Sequence, residues 1–226
     1  MNTVFKLVIF IALAASIFLF ISNNNIVIIS ISGIVIIIAS LLMSELFVDK
    51  KNAEKVTFAS QEIYLIKQNS LAASDGNAQT SVGSFYSRTV GIIDPVIIFD
   101  KDKFETLSDA EKSALIYHEQ YHVKEHHQLK RFLLYAGMIA LFVCIRFFAI
   151  KENTPVICIG LVLLVAYIVC FVLFFRKNEF DADAYSVKQM NESATLTSFL
   201  ENKLKNENSK GLSLHPSIDK RIENIK

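Results

Sequence analysis

Apolar and polar residues are segregated along this chain into long blocks. Residues 4–21 (VFKLVIFIALAASIFLFI) are apolar apart from Lys6 and Ser16, and a polar break of Ser22-Asn23-Asn24-Asn25 follows. Residues 26–48 form a second apolar run rich in Ile and Val. Residues 49–131 carry Lys, Asp, Glu, Asn and Ser at the density of a soluble protein. Two more apolar runs, 132–150 and 155–175, are separated by Lys151-Glu152-Asn153-Thr154, and the chain is polar again over 176–226. A hydrocarbon layer about 30 Å thick needs roughly 20 apolar residues in a helix. The pattern predicts four membrane spans in two hairpins, 1–48 and 132–175, alternating with polar segments 49–131 and 176–226. The first run could instead serve as a signal peptide, but its apolar stretch is long for one and a second run follows at once.

Two even crossings put both polar segments on one side of the membrane. Next to the spans these segments carry Lys50, Lys51, Lys55, Lys130, Arg131, Arg176 and Lys177, against Lys151 alone in the opposite loops. Lys6 agrees with this bias, which places both polar segments in the cytoplasm. Arg146 is the one misfit, long enough to reach the far interface.

Within 49–131, Val56 to Lys67 reads as a strand or a short helix, and Asp75-Gly76-Asn77 as a turn. Ser84 to Arg88 and Val90 to Phe99 read as strands, with Pro95 marking a sheet edge or a break. Ser108 with Glu111 three residues on is a capping box. It predicts a helix from about Asp109 to Gln128, with a possible continuation into the third span. The expected fold is therefore a mostly α membrane protein, with four transmembrane helices and a small α+β cytoplasmic domain built on a short edge-strand sheet.

Composition narrows the function classes. Hydrophobic residues make up 52% of the 226, yet formal net charge is only +1, so no basic field draws nucleic acid. Cys144, Cys158 and Cys170 all lie in apolar runs without the close spacing of a thiolate metal site, and read as small hydrophobes.

The candidate chemistry lies in His118-Glu119-Gln120-Tyr121-His122. Histidines four apart share one helix face and can hold one metal ion. A Glu beside the first can act as general base, the arrangement of zinc peptidases. Such a site takes three protein ligands and keeps a position open. Taken alone, the two histidines also fit a solvated helix face, the more so with His126 and His127 nearby. The third ligand is not a histidine at HExxH-xx-G-xx-H spacing, since Glu125 and Gln128 occupy those places. Glu179, just after the fourth apolar run, can supply it. Asp183, one turn on, can then accept from a ligand histidine's other nitrogen. Alone, these acids would read as a helix start favouring its dipole.

These features resemble the HtpX-like and CAAX-prenyl-protease group of membrane gluzincins, and more loosely the membrane sensor peptidases of the BlaR type. Gly91 to Ile98 is similar to the family's strand ahead of the metal helix, and Leu107-Ser108-Asp109 through His122 to that helix. Glu179-x-x-x-Asp183 is similar to its third-ligand motif, and His215-Pro216-Ser217 with Arg221-Ile222 to its late motif. The resemblance implies a membrane zinc endopeptidase with one Zn²⁺ held by His118, His122 and Glu179. It implies Glu119 as general base and a protein or peptide substrate paired along the edge strand at Thr89, Val90, Gly91 and Ile92. His215 is the candidate oxyanion stabiliser, and reads equally as a surface turn. The competing reading is a BlaR-type sensor that uses the site for regulated self-cleavage. His126 and His127 have no assigned duty, and oligomeric state is open.

Overall fold

A computed structural model describes residues 3–22, 24–46, 53–66, 87–206 and 216–225. The predicted turn at Asp75-Gly76-Asn77 and the candidate His215 lie outside the described residues. The chain is mostly helical with one small mixed sheet, and it divides into two units: residues 1–48 with 129–174, and residues 49–128 with 175–226.

In the first unit, α1 (Thr3–Ser22) and α2 (Ile26–Leu46) are joined at the polar break. Asn25 starts α2 by accepting from the Val27 N–H at 2.9 Å. The unit also holds most of α5 (His127–Ile150) and the first half of α6 (Thr154–Met190). Among the described residues, α5 and α6 are long and apolar enough to cross a membrane; the apolar stretches of α1 and α2, Val8–Ser22 and Ile26–Leu42, are shorter. Gly137 lets Tyr167 come close: a Cβ there would sit 2.8 Å from the phenol oxygen, which donates to the Leu134 carbonyl at 2.7 Å. Arg146 donates to Asn24 Oδ1, in the α1–α2 turn, at 3.3 Å.

The second unit is built on a sheet of order β1-β2-β4-β3, with β1 (Glu54–Phe58), β2 (Gln61–Ile66), β3 (Ser87–Val90) and β4 (Val96–Asp100). The stretch from Val56 is neither one strand nor a helix but a hairpin. Phe58 pairs with Gln61 across Ala59 and Ser60, whose φ angles are 48° and 61°. Two positive φ values suit the twist of a two-residue hairpin turn, but Asn-Gly is its usual signature and Ala-Ser hides it.

The predicted strand Val90 to Phe99 is broken as well. Gly91 turns the chain at φ 89°, and a Cβ there would meet the Asp94 carbonyl oxygen at 2.7 Å. Only glycine fits. β3 runs up to this turn and β4 leaves it antiparallel, pairing Val90 with Val96. Among the described residues β3 is consequently one edge of the sheet and β1 the other, because β4 lies between β3 and a parallel β2.

Asp100 ends β4 and caps α3 (Lys101–Thr106), accepting from the Lys103 N–H at 3.1 Å. Ser108 and Glu111 form both halves of the expected capping box on α4 (Asp109–Lys124). α4 buries Ala114, Leu115 and Ile116 against Phe99 and Phe104 of the sheet side and Leu196 and Leu200 of α7 (Ala194–Asn206). Each large side chain so buried contributes about 1.5–3 kcal/mol. Ile218 and Ile222 of α8 (Ile218–Ile225) close the same core.

The helix predicted from about Asp109 to Gln128 stops at Lys124 and does not run on into the third span. Glu125 caps α4, and His126 takes φ 50° before α5 begins at His127. Histidine is one of the few side chains that enters this left-handed region readily, and the sequence carries no Gly to announce the break. By contrast, α6 continues without interruption from the apolar run through Glu179 and Asp183.

Candidate metal centre

The capping box fixes where α4 starts, and packing of Ala114, Leu115 and Ile116 into the core sets which face it turns inward. His118, Glu119 and His122 are all buried on it. From α6 come Glu179, 7% exposed, and Asp183, fully buried. Ser186, one turn beyond Asp183 on α6, locks α6 to α4 by donating to the Ala114 carbonyl at 2.6 Å.

The two imidazoles meet edge to face with Nε2 atoms 3.2 Å apart. Glu179 completes the cluster, with Oε2 at 3.7 Å from His118 Nε2 and Oε1 at 3.6 Å from His122 Nε2. These three side chains could hold a metal ion. The donor set fits zinc: two bonds of about 2.0–2.1 Å at a tetrahedral angle put ligand atoms roughly 3.4 Å apart.

Asp183 Oδ1 lies 2.9 Å from His118 Nδ1 and accepts its proton. That tautomer leaves a lone pair on His118 Nε2 facing the cluster. Asp183 is itself gripped by Arg221 of α8, whose Nε donates to Oδ2 at 2.7 Å and whose Nη2 donates to Oδ1 at 2.6 Å. Arg221 Nη1 is 3.8 Å from Glu179 Oε2. Burial alone would raise the Asp183 pKa, but hydrogen bonds from Arg221 and His118 outweigh it and hold the carboxyl below its usual value. Burial likewise opposes charge on His118, and Asp183 outweighs it, raising the imidazole.

Glu119 is held from a different direction. Ser87 donates to its Oε1 at 2.9 Å, and Thr89 Oγ1 lies 2.9 Å from its Oε2 and 3.1 Å from its carbonyl oxygen. Both hydroxyls come from the edge strand β3. Gln128, at the start of α5, donates to the Thr89 carbonyl at 2.6 Å.

A family model for peptidase family M48 matches residues 90–226, which takes in α4, Glu179, Asp183 and Arg221. The chain belongs to peptidase family M48. A phage metallopeptidase model also matches, over residues 38–138. No curated protein and no solved structure matches the chain. The resemblance read from the motifs is thereby borne out at family level. This M48 chain is a metallopeptidase by kinship, and its buried His-His-Glu cluster is suited to a metal.

Of the residues picked out in the sequence, His118, His122, Glu179 and Asp183 converge as one group. Thr89 turns its hydroxyl to Glu119, Val90 ends β3, and Gly91 and Ile92 belong to the turn. Sequence reasoning missed the grip of Ser87 and Thr89 on Glu119 and of Arg221 on Asp183. Arg221 stood in a quoted motif without a role. Ser87 and Thr89 carry no local signal, because their partner lies about 30 residues away on another element.

Proposed function

We propose that this chain is a membrane-embedded, HtpX-like zinc endopeptidase that hydrolyses peptide bonds of membrane or membrane-proximal proteins. The observation that carries the reading is the convergence of His118 Nε2, His122 Nε2 and Glu179 beside a Glu119 held by two hydroxyls. The ligands would be His118, His122 and Glu179. A zinc ion held there would supply a Lewis acid and bring the pKa of a bound water towards 7.

Glu119 takes the proton of the attacking water and delivers it to the leaving amine. Ser87 and Thr89 keep its carboxylate in place for both transfers. Asp183, anchored by Arg221, holds His118 in the tautomer that presents Nε2. His215 is assigned to the developing oxyanion. The peptide docks by adding a strand at the sheet edge near Thr89, Val90, Gly91 and Ile92, a mode supported by β3 having β4 as its one strand neighbour among the described residues.

The α1–α2 pair and the α5–α6 pair are the two membrane hairpins of residues 1–48 and 132–175. The lengths of α5 and α6 support the second hairpin, and the apolar sequence runs 4–21 and 26–48 support the first. The Arg146 bond to Asn24 gives that misfit cation a polar partner at the α1–α2 turn. Those segments, 49–131 and 176–226, face the cytoplasm by the Lys and Arg bias of the flanking residues.

The test is Glu119→Gln in the full chain purified in detergent, assayed on an unfolded protein substrate. Proteolysis is lost while zinc stays stoichiometric, and Glu179→Ala loses the zinc. Cleavage retained by Glu119→Gln overturns the reading. Chelator-sensitive cleavage confined to the chain itself moves it to the sensor class.

A further inference from the structure

His127 is buried, although it opens a helix that carries an apolar run. Its Nδ1 lies 2.6 Å from Nδ1 of His122. In an uninterrupted α-helix, residues five apart sit about 140° around the axis and do not meet. The meeting is made by the left-handed His126, which ends α4 and folds the start of α5 back on the last turn.

The tautomers follow from what His122 has to present. Its Nε2 faces Glu179 and His118 Nε2, so a ligand lone pair there requires the proton on Nδ1. That proton has His127 Nδ1 as acceptor, which in turn puts the His127 proton on Nε2. Tyr121 packs on the His127 ring with centroids 5.5 Å apart, fixing its plane.

We propose that His127 is a positioning residue of the metal centre, the neutral acceptor that fixes the His122 tautomer and ring orientation. This rests on the zinc site proposed above. Groups that accept from a ligand histidine commonly change metal affinity 10–100-fold when removed.

The experiment compares His127→Phe, which keeps ring bulk and loses the acceptor, with His127→Asn, which keeps an acceptor oxygen near Nδ1. Full-length protein in detergent is titrated with zinc against a competing chelator. Thermal unfolding with chelator present reports folding separately, and the cobalt-substituted absorption bands report ligand geometry. His127→Phe is expected to bind zinc about 10–100-fold more weakly with altered cobalt bands and an unchanged metal-free unfolding curve, and His127→Asn to recover most of both. The inference is overturned if His127→Phe binds zinc as wild type does, or if both variants lose it equally. It is overturned too if the metal-free curve falls with the affinity in both variants. A wild-type protein that binds no stoichiometric zinc overturns the site itself, a distinct result.

Discussion

Two histidines one helical turn apart are braced by different means. His118 leans on a carboxylate brought from α6 and secured by a guanidinium from α8, so its support is charged and spans the later chain. His122 leans on an imidazole five residues away, and its support is neutral and local. The difference teaches how such a site assembles. The His118 side exists only once α4, α6 and α8 have packed together, whereas the His122 side needs only the bend at His126.

The sharpest way to break this contrast is at Asp183. Asp183→Ala leaves the largely buried Arg221 without the carboxylate it donates to, with Glu179 Oε2 at 3.8 Å as an acidic neighbour that remains. Removing one member of a buried pair costs about 3–5 kcal/mol. Denaturant unfolding with chelator present should show that loss, whereas His127→Phe should not. Asp183→Leu combined with Arg221→Met should recover much of the stability without the zinc, since an apolar pair avoids the desolvation cost. A double variant no more stable than Asp183→Ala would mean that the pair serves the fold beyond its charge.

The same contrast explains what the sequence could say. The HEQYH spacing and the Ser108–Glu111 box are local, and both appear in the structure where they were read. Glu179 and Asp183 were legible only by pairing one helix-face spacing with another. Four features were not legible. The Ala59-Ser60 turn and the His126 bend take positive φ without Gly, so the usual turn residues are missing. The grip of Ser87 and Thr89 on Glu119 depends on strand β3 reaching α4, and spacing carries no trace of tertiary contact. The break in the apolar run 90–99 is hidden too, because Gly91 lies within a run rich in Ile and Val yet turns the chain at φ 89°.

Glu119 stands between the two histidines in sequence but depends on neither brace. Thr89→Val keeps the shape of the side chain and removes the hydroxyl at Oε2. Turnover should fall about tenfold, near 1.4 kcal/mol of barrier, with KM and zinc content unchanged. Thr89→Ser should retain the rate. Ser87→Ala should do less, because Ser87 is only half-buried. A zinc loss in Thr89→Val would show that β3 braces the histidines as well, erasing the distinction between base and ligands.

The smallest effect tests whether the bend, rather than the side chain of His126, is what the His122 side requires. His126 is exposed, so its imidazole contributes little packing. Glycine enters φ 50° without steric cost, and His126→Gly should leave stability and zinc affinity within error of wild type. Valine pays for its branched Cβ in that region, and His126→Val should lose about 1 kcal/mol. Because that strain falls on the one residue that turns His127 back, the same variant should weaken zinc binding while the Asp183–Arg221 side stays intact. If His126→Val lowers stability and leaves zinc affinity unchanged, the bend and the His127 contact are separable, and His122 owes its orientation to α4 alone.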